Sequence, residues 1–349
     1  MNKLRFDETI CASCKSYDCL VKCRYLNLDL EKAKDEKRKL IKGEDSIVLT
    51  DCVTCYSCEE YCPYGNHPFY QIVELQEAKG IYPAPKPITN QQIKMVSPTG
   101  KSAYEEMRDP VISLCVFPEA KKSLRGNLFN DPSSFLGKDY FCNLMYLHFG
   151  KSSIIKERLP KIIENIWAHK LDKSESKELV CYHDECYATY ASWAPAFDFE
   201  VPFKPVHFFE YLYNRLKENV KNIKALNTKI AYQRPCSNRL ISDQQHWVDD
   251  IFELIGAQRV EREFDRENAL CCGGPLRMQG RDDLAHDLQR KNIEDMVAAG
   301  VEWCVFNCPF CYYTLGGMVK EKKVKPIMMI DLCRLATDDI KGKRSEGYE

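Results

Sequence analysis

The chain lacks any apolar run of the roughly 18 residues or more that a membrane-spanning helix needs, so no transmembrane segment is expected. Its opening, MNKLRFDETICASCK, has no apolar stretch of the kind that directs export. Position 2 is Asn rather than the glycine of a myristoylation signal, and the closing RSEGYE offers no prenylation cysteine. The expected location is therefore cytoplasmic, with a peripheral place on a membrane complex still open. An excess of one charge is missing too: 50 Lys+Arg stand against 51 Asp+Glu, a net charge of −1. That balance argues against the clustered positive surface used on nucleic acid or anionic lipid. Nucleotide fingerprints are also absent: no G-x-G-x-x-G follows a predicted strand, and there is no P-loop. Any electrons the chain handles must then arrive or leave through other proteins.

What the sequence has in quantity is cysteine, 19 in 349 residues. In a reducing compartment, grouped cysteines more often bind metal or do redox chemistry than form disulfides. Eight lie in 11–62, four in 115–186 and five make up a set within 236–311; Cys304 and Cys333 are left over. Cys11, Cys14, Cys19 and Cys23 are spaced C-x2-C-x4-C-x3-C. Cys52, Cys55, Cys58 and Cys62 are spaced C-x2-C-x2-C-x3-C, with Pro63 after them. The second run resembles the bacterial two-cluster ferredoxin pattern, in which three close thiolates wrap one cube and the fourth ligates the other. That resemblance implies one [4Fe-4S] cube on Cys11, Cys14, Cys19 and Cys62, and a second on Cys52, Cys55, Cys58 and Cys23. The first run departs from the pattern in its x4 gap and in Arg24 after Cys23. Four cysteines also satisfy tetrahedral zinc, but zinc sites usually separate their cysteine pairs by a dozen residues or more.

Between the runs, LDLEKAKDEKRKLIK (Leu28–Lys42) reads as a solvated helix with mixed-sign pairs. FYQIVELQEA (Phe69–Ala78) is apolar at helical spacing, and Gly80 is its stop. The stretch 81–100, with Pro83, Pro85, Pro87, Pro98 and Gly100, reads as an extended linker and a domain boundary.

The remainder of the chain repeats itself. Val111–Pro118 parallels Thr228–Pro235, and Cys142–Lys151 (CNLMYLHFGK) parallels Cys272–Arg281 (CGGPLRMQGR). Cys186–Tyr190 (CYATY) parallels Cys311–Leu315 (CYYTL), and Lys204–Leu212 (KPVHFFEYL) parallels Lys325–Cys333 (KPIMMIDLC). Four blocks in one order mean two copies of a unit. In the second copy the pattern predicts strands at Lys229–Gln233, Glu302–Asn307 and Val324–Met329, with helices over Gln245–Ile255 and Asp282–Ala299. Such alternation predicts βα units around a parallel sheet. Cys236, Cys271–Cys272 and Cys308 then fall after strands or at helix starts, where open α/β sheets bind ligands.

Cys236, Cys271-Cys272-Gly273 and Cys308-x2-Cys311 resemble the cysteine-rich CCG domain of heterodisulfide reductase catalytic subunits and related iron–sulfur oxidoreductases. The resemblance implies an α/β chain in three parts. These are a mostly helical two-[4Fe-4S] ferredoxin-like domain with linker over 1–100, a degenerate CCG domain over 101–225 and an intact one over 226–349, both Rossmann-like. It also implies that Cys236, Cys271, Cys272, Cys308 and Cys311 hold a catalytic, non-cubane [4Fe-4S] cluster fed with single electrons by the cubes. An ordinary cube or a zinc with one cysteine spare is the alternative. A disulfide or other sulfur substrate would be reduced at that cluster, or thiols oxidised. A pure electron-transfer subunit, with chemistry on a partner, is the competing reading. The expected partners are flavin-, tungsten- or quinone-linked redox subunits, or a ferredoxin, in an anaerobic metabolism.

In the first copy, Ala120 stands near the lead-cysteine position, Phe141–Cys142 replaces the cysteine pair, and His183-x2-Cys186 replaces Cys308-x2-Cys311. Cys142, Cys181, His183 and Cys186 are candidate zinc ligands; an empty pseudo-site with buried cysteines, Cys115 among them, is the alternative. Cys304, Cys333, His246, Trp247 and His207 read as structural.

Overall fold

Two open sheets, built on the same plan, carry the second and larger part of the chain. The computed structural model describes residues 2–105, 109–167 and 176–340. The first sheet contains β1 (Ala103–Tyr104), β2 (Val111–Ser113), β3 (Ser133–Leu136), β4 (Glu178–Cys181) and β5 (Lys204–His207), in the order β1-β3-β2-β4-β5. The second contains β6 (Thr228–Gln233), β7 (Ala257–Arg259), β8 (Trp303–Phe306) and β9 (Lys325–Met328), in the order β7-β6-β8-β9. All neighbours are parallel except β1, which runs antiparallel to β3 at an edge. Without β1, the two strand orders coincide element for element. The repeat read from the sequence is thus a repeat of topology.

The parallel strands are short and largely buried on both faces, as strands covered on two sides are. Helices Phe208–Glu218, His246–Leu254, Asp282–Ala298, Pro309–Glu321 and Met329–Ala336 follow them. One apolar core runs through both sheets, from Ile112, Val180 and Phe208 to Ile230, Val305 and Met328. Cys304 and Cys333 are buried within it. The fold is α/β with parallel sheets, and the five elements predicted in the second copy all form, with bounds shifted by at most one residue. Among the described residues no helix is long and apolar enough to cross a membrane.

The N-terminal part is a set of helices packed on these sheets. Helix Pro68–Lys79 starts where left-handed His67 turns the chain and Pro68 takes the first helical position, which needs no N–H donor. The Glu59 carboxylate accepts from the backbone N–H of Phe69 (2.7 Å) and Tyr70 (3.2 Å), placing negative charge at the helix's positive end. Gly80, at φ 65°, ends it. Phe69, Tyr70 and Val73 pack with Tyr56 against Phe135, Phe141 and Tyr146 of the first repeat. Each such buried aromatic contributes on the order of 2 kcal/mol.

Two expectations change. The proline-rich stretch is not extended throughout: Lys86–Val96 is a helix, with Pro87 in its first turn. Proline is compatible with a helix start, and the eight residues after Pro87 hold neither proline nor glycine. Helix Leu30–Lys42 is not wholly solvated either, since Ala33, Glu36, Lys37 and Leu40 are buried.

Candidate functional site

The N-terminal cysteines fall into two groups that cross the two sequence runs. Cys11, Cys14 and Cys19 come from two short helices, Glu8–Ser13 and Asp18–Val21, joined through left-handed Tyr17 (φ 49°). Burial pushes the Cys11 and Cys19 thiols up, Cys19 to about 12; the Lys37 ammonium works against this, and the Cys62 sulfur pushes both further up. Cys62, from the other run, therefore stands with Cys11, Cys14 and Cys19. Conversely, burial raises Cys23 to about 11 with Cys55 as its charged neighbour, and raises Cys52 to about 12 beside Cys55 and Cys23. Cys58, also raised by burial, faces Cys52 and Cys55 and, beyond them, Cys19, so the two groups adjoin.

Amide donors point at these sulfurs: Asn66 Nδ2 to Cys11 (3.1 Å), Asn66 N to Cys62 (3.4 Å) and Thr54 N to Cys52 (3.3 Å). Left-handed Thr54 and Tyr56 (φ 54° and 65°) fold the second cysteine loop around its centre. N–H···S donors of this kind orient and tune thiolate ligands. The sulfur-only donor set, presented by tight loops, fits iron–sulfur clusters.

The five cysteines of the second repeat meet where parallel neighbours β6 and β8 end. Cys236 lies just past β6, and Cys308 caps helix Pro309–Glu321 just past β8. The carboxyl ends of adjacent parallel strands are where ligands sit in such sheets. Cys272 is hydrogen-bonded by the Cys271 and Cys311 thiols, which hold it well below the ordinary thiol range. Cys308 is held down at about 6, chiefly by the Cys311 thiol; burial opposes this and the His183 ring adds to it. Cys236 is raised by burial and by the neighbouring Cys272, Glu185 and Cys308. Gly273 N (3.4 Å) and Gly274 N (3.5 Å) donate to the Cys271 and Cys272 sulfurs respectively.

Both glycines are needed. Gly273 is left-handed at φ 83°, and a Cβ on Gly274 would stand 2.4 Å from Phe310 Cε1. Gly274→Ala is expected to cost about 1–3 kcal/mol through overpacking and to drive the Phe310 ring into the space beside Cys308. A lower anaerobic denaturation midpoint, with iron content measured in parallel, checks this.

Four of the five thiols, Cys236, Cys272, Cys308 and Cys311, open onto a cavity of about 230 Å³ between the two repeats. Cys115 of the first repeat lines it too; its polar groups are His148, His183, Glu185 and Ser237, and its other walls are apolar. His183 Nε2 lies 3.3 Å from Cys308 Sγ. Burial opposes charge on this ring, but the Cys308 sulfur raises its pKa to about 10. Burial raises the Glu185 carboxyl to about 8 against the pull of His183. His148 Nε2 stands 2.8 Å from the Tyr56 hydroxyl and 3.6 Å from Cys236 Sγ, while Nδ1 meets the Thr54 hydroxyl at 2.9 Å. Burial holds this ring down at about 3, so it is neutral.

The first repeat keeps a sulfur group of its own, but not the set expected from the sequence. The Sγ atoms of Cys115, Cys142 and Cys186 lie within 4.8 Å of one another. Cys181 is buried nearby with its thiol toward Leu179 O at 3.7 Å. His183, expected beside Cys142 and Cys186, is drawn to Cys308. Chain direction explains this: His183 caps helix Asp184–Ala188 at the end of β4 and looks across the junction of the repeats. Next to it, buried Asp184 accepts from His207 Nε2 (3.0 Å), Asn238 Nδ2 (3.1 Å) and Asn307 Nδ2 (2.7 Å), tying the loops after β6 and β8 to the first repeat. Burial alone would raise this carboxyl; the His207 hydrogen bond and charge outweigh it and hold it at about 2. His207 is thus structural, as the sequence suggests, but as a partner of Asp184.

Residues 230–316 match the family model for the CCG cysteine-rich domain. The chain is 25% identical over 185 residues to a subunit of the dihydromethanophenazine:CoB–CoM heterodisulfide reductase of Methanosarcina mazei, covering 51% of this chain and 44% of that protein. It is 24% identical over 335 residues to the probable iron–sulfur-binding oxidoreductase FadF of Bacillus subtilis (83% of this chain, 46% of that protein). It is 22% identical over 330 residues to an EtfAB:quinone oxidoreductase of Syntrophomonas wolfei (80% and 44%). The chain spans less than half the length of each of these relatives. The resemblance read from the cysteine spacing therefore holds: the chain carries a CCG cysteine-rich domain and is similar to heterodisulfide reductase-like iron–sulfur oxidoreductases.

Proposed function

We propose that this chain, starting from that kinship, passes single electrons through two cubes to a sulfur-reducing centre at the CCG cysteines. One cube would sit on Cys11, Cys14, Cys19 and Cys62, the other on Cys23, Cys52, Cys55 and Cys58. The gathering of each set from both sequence runs supports this pairing. Cys236, Cys271, Cys272, Cys308 and Cys311 would hold a third, non-cubane cluster. These groups supply one-electron steps, and a disulfide takes two electrons and two protons to give two thiols. The electrons come from a protein reductant such as a ferredoxin or a flavoprotein subunit.

The observation that carries the reading is the cavity. Four CCG thiols face a space that opens between the repeats, so a substrate sulfur could reach the centre they would hold. Within it the chain's own residues have separate tasks: His183 steadies Cys308, His148 steadies Cys236, and the apolar walls keep water from the sulfur chemistry.

The test is iron, sulfide and zinc content with an EPR spectrum on protein purified without oxygen. We expect roughly twelve irons per chain and an EPR signal that changes when thiol and oxidant are added. About eight irons plus zinc would move the chemistry to a partner and leave this chain a relay. The same assay reads the first repeat, where any zinc would rest on Cys115, Cys142 and Cys186.

A further inference from the structure

The cavity is walled by matched positions of the two repeats. In the internal alignment Met145 corresponds to Pro275, His148 to Met278, His183 to Cys308 and Glu185 to Phe310, and all eight line the space. The second repeat contributes four thiols to it and the first repeat one, Cys115. The first has Phe141 where the second has Cys271, and His183 where it has Cys308. Phe117, Phe141 and Met145 form the first repeat's apolar wall, and Phe117 packs edge-on against the His183 ring at 5.0 Å.

Charge is the second observation. Among the described residues no Lys or Arg lines the cavity. The His183 ring is engaged by Cys308 on one nitrogen, and its other nitrogen lies 3.8 Å from a Glu185 carboxylate oxygen. A sulfonate, phosphate or carboxylate brought inside would lose its water and find no Lys or Arg to replace it, a costly transfer.

We infer that the degenerate repeat has become the specificity wall of the sulfur site, and that the site takes small uncharged thiols or their disulfides in preference to anionic ones. The inference rests on the proposed function and deepens it. About 230 Å³ must serve both the metal centre and the substrate, so the substrate fragment next to the sulfur is short. Met145 is the residue through which charge preference can be reversed, since it lies on the wall and is only partly buried.

The test compares 2-mercaptoethanol with 3-mercaptopropionate on the anaerobic holoprotein. Binding is read as the dissociation constant from thiol-dependent change in the EPR spectrum. The neutral thiol is expected to bind at least tenfold more tightly. Met145→Lys should narrow or reverse that ratio, whereas Met145→Gln, similar in size and uncharged, should leave it in place and control for folding. Equal or tighter binding of the carboxylate by the wild-type chain overturns the inference while leaving sulfur chemistry at the site intact. If neither thiol changes the spectrum of the fully iron-loaded protein, the proposed function fails, and this inference with it.

Discussion

Cys236→Ser is expected to lower iron from about twelve to about eight per chain and to reduce sulfur-linked turnover by at least about 100-fold. Ligand neighbours alone cost 10–100-fold when changed, and a ligand should cost more. Cys236 begins the loop after β6, with Pro235 fixing the turn before it. Its charged neighbours are Cys272, Glu185 and Cys308, and none belongs to either N-terminal group. The cubes should therefore survive, and their EPR signals serve as an internal standard for folding. Serine keeps the volume but replaces a soft, acidic thiol by a hard hydroxyl that stays protonated. Full iron and full turnover in the variant would make Cys236 the spare cysteine and leave a four-cysteine centre on Cys271, Cys272, Cys308 and Cys311. Cys304→Ser, at a buried cysteine outside every sulfur group, is the matched control, expected to leave iron and turnover unchanged.

The cysteine spacing carried much of this architecture because short loops with several thiols have few other uses. Strands and helices of the second repeat were equally legible, since buried parallel strands and amphipathic helices write different periods. Residues acting across the junctions were not. Lys37 sits in a charged run, LEKAKDEKRKLIK, where nothing marks it as the cation near Cys11 and Cys19. His183 looked like a ligand of its own repeat, because sequence adjacency to Cys186 says nothing about the direction in which a strand-end side chain points. His148 had a faint signal: a histidine opposite Met278 in the internal alignment, polar where its counterpart is apolar. Helix Lys86–Val96 lies in a proline-rich stretch that reads as extended, yet its start accepts Pro87.

Glu60→Ala should be the most destabilising single change at the junction of the N-terminal helices with the second repeat. Glu60 lies between Cys58 and Cys62 on the second cysteine loop. Its carboxylate receives Arg234 (2.9 Å) and Arg239 (2.6 Å), whose side chains are 1% and 5% exposed. Arg234 directly precedes Pro235–Cys236, so this ion triad pins one cysteine loop to the other. Exposed pairs are worth little, but removing one partner of a buried set strands charge in low dielectric, at about 3–5 kcal/mol. Backbone oxygens at Arg266, Glu267 and Ala269 still receive the two guanidinium groups, which favours the lower end. Anaerobic denaturant midpoints measure the loss. The triple variant Glu60→Leu, Arg234→Met, Arg239→Met separates stability from position, because apolar replacement of a whole buried ion set is often neutral or stabilising. If the triad sets the approach of the two centres, that variant folds, keeps its iron, and still receives electrons at the CCG centre more slowly in rapid-mixing reduction. Wild-type rates in a stable triple variant would confine the triad to holding the fold.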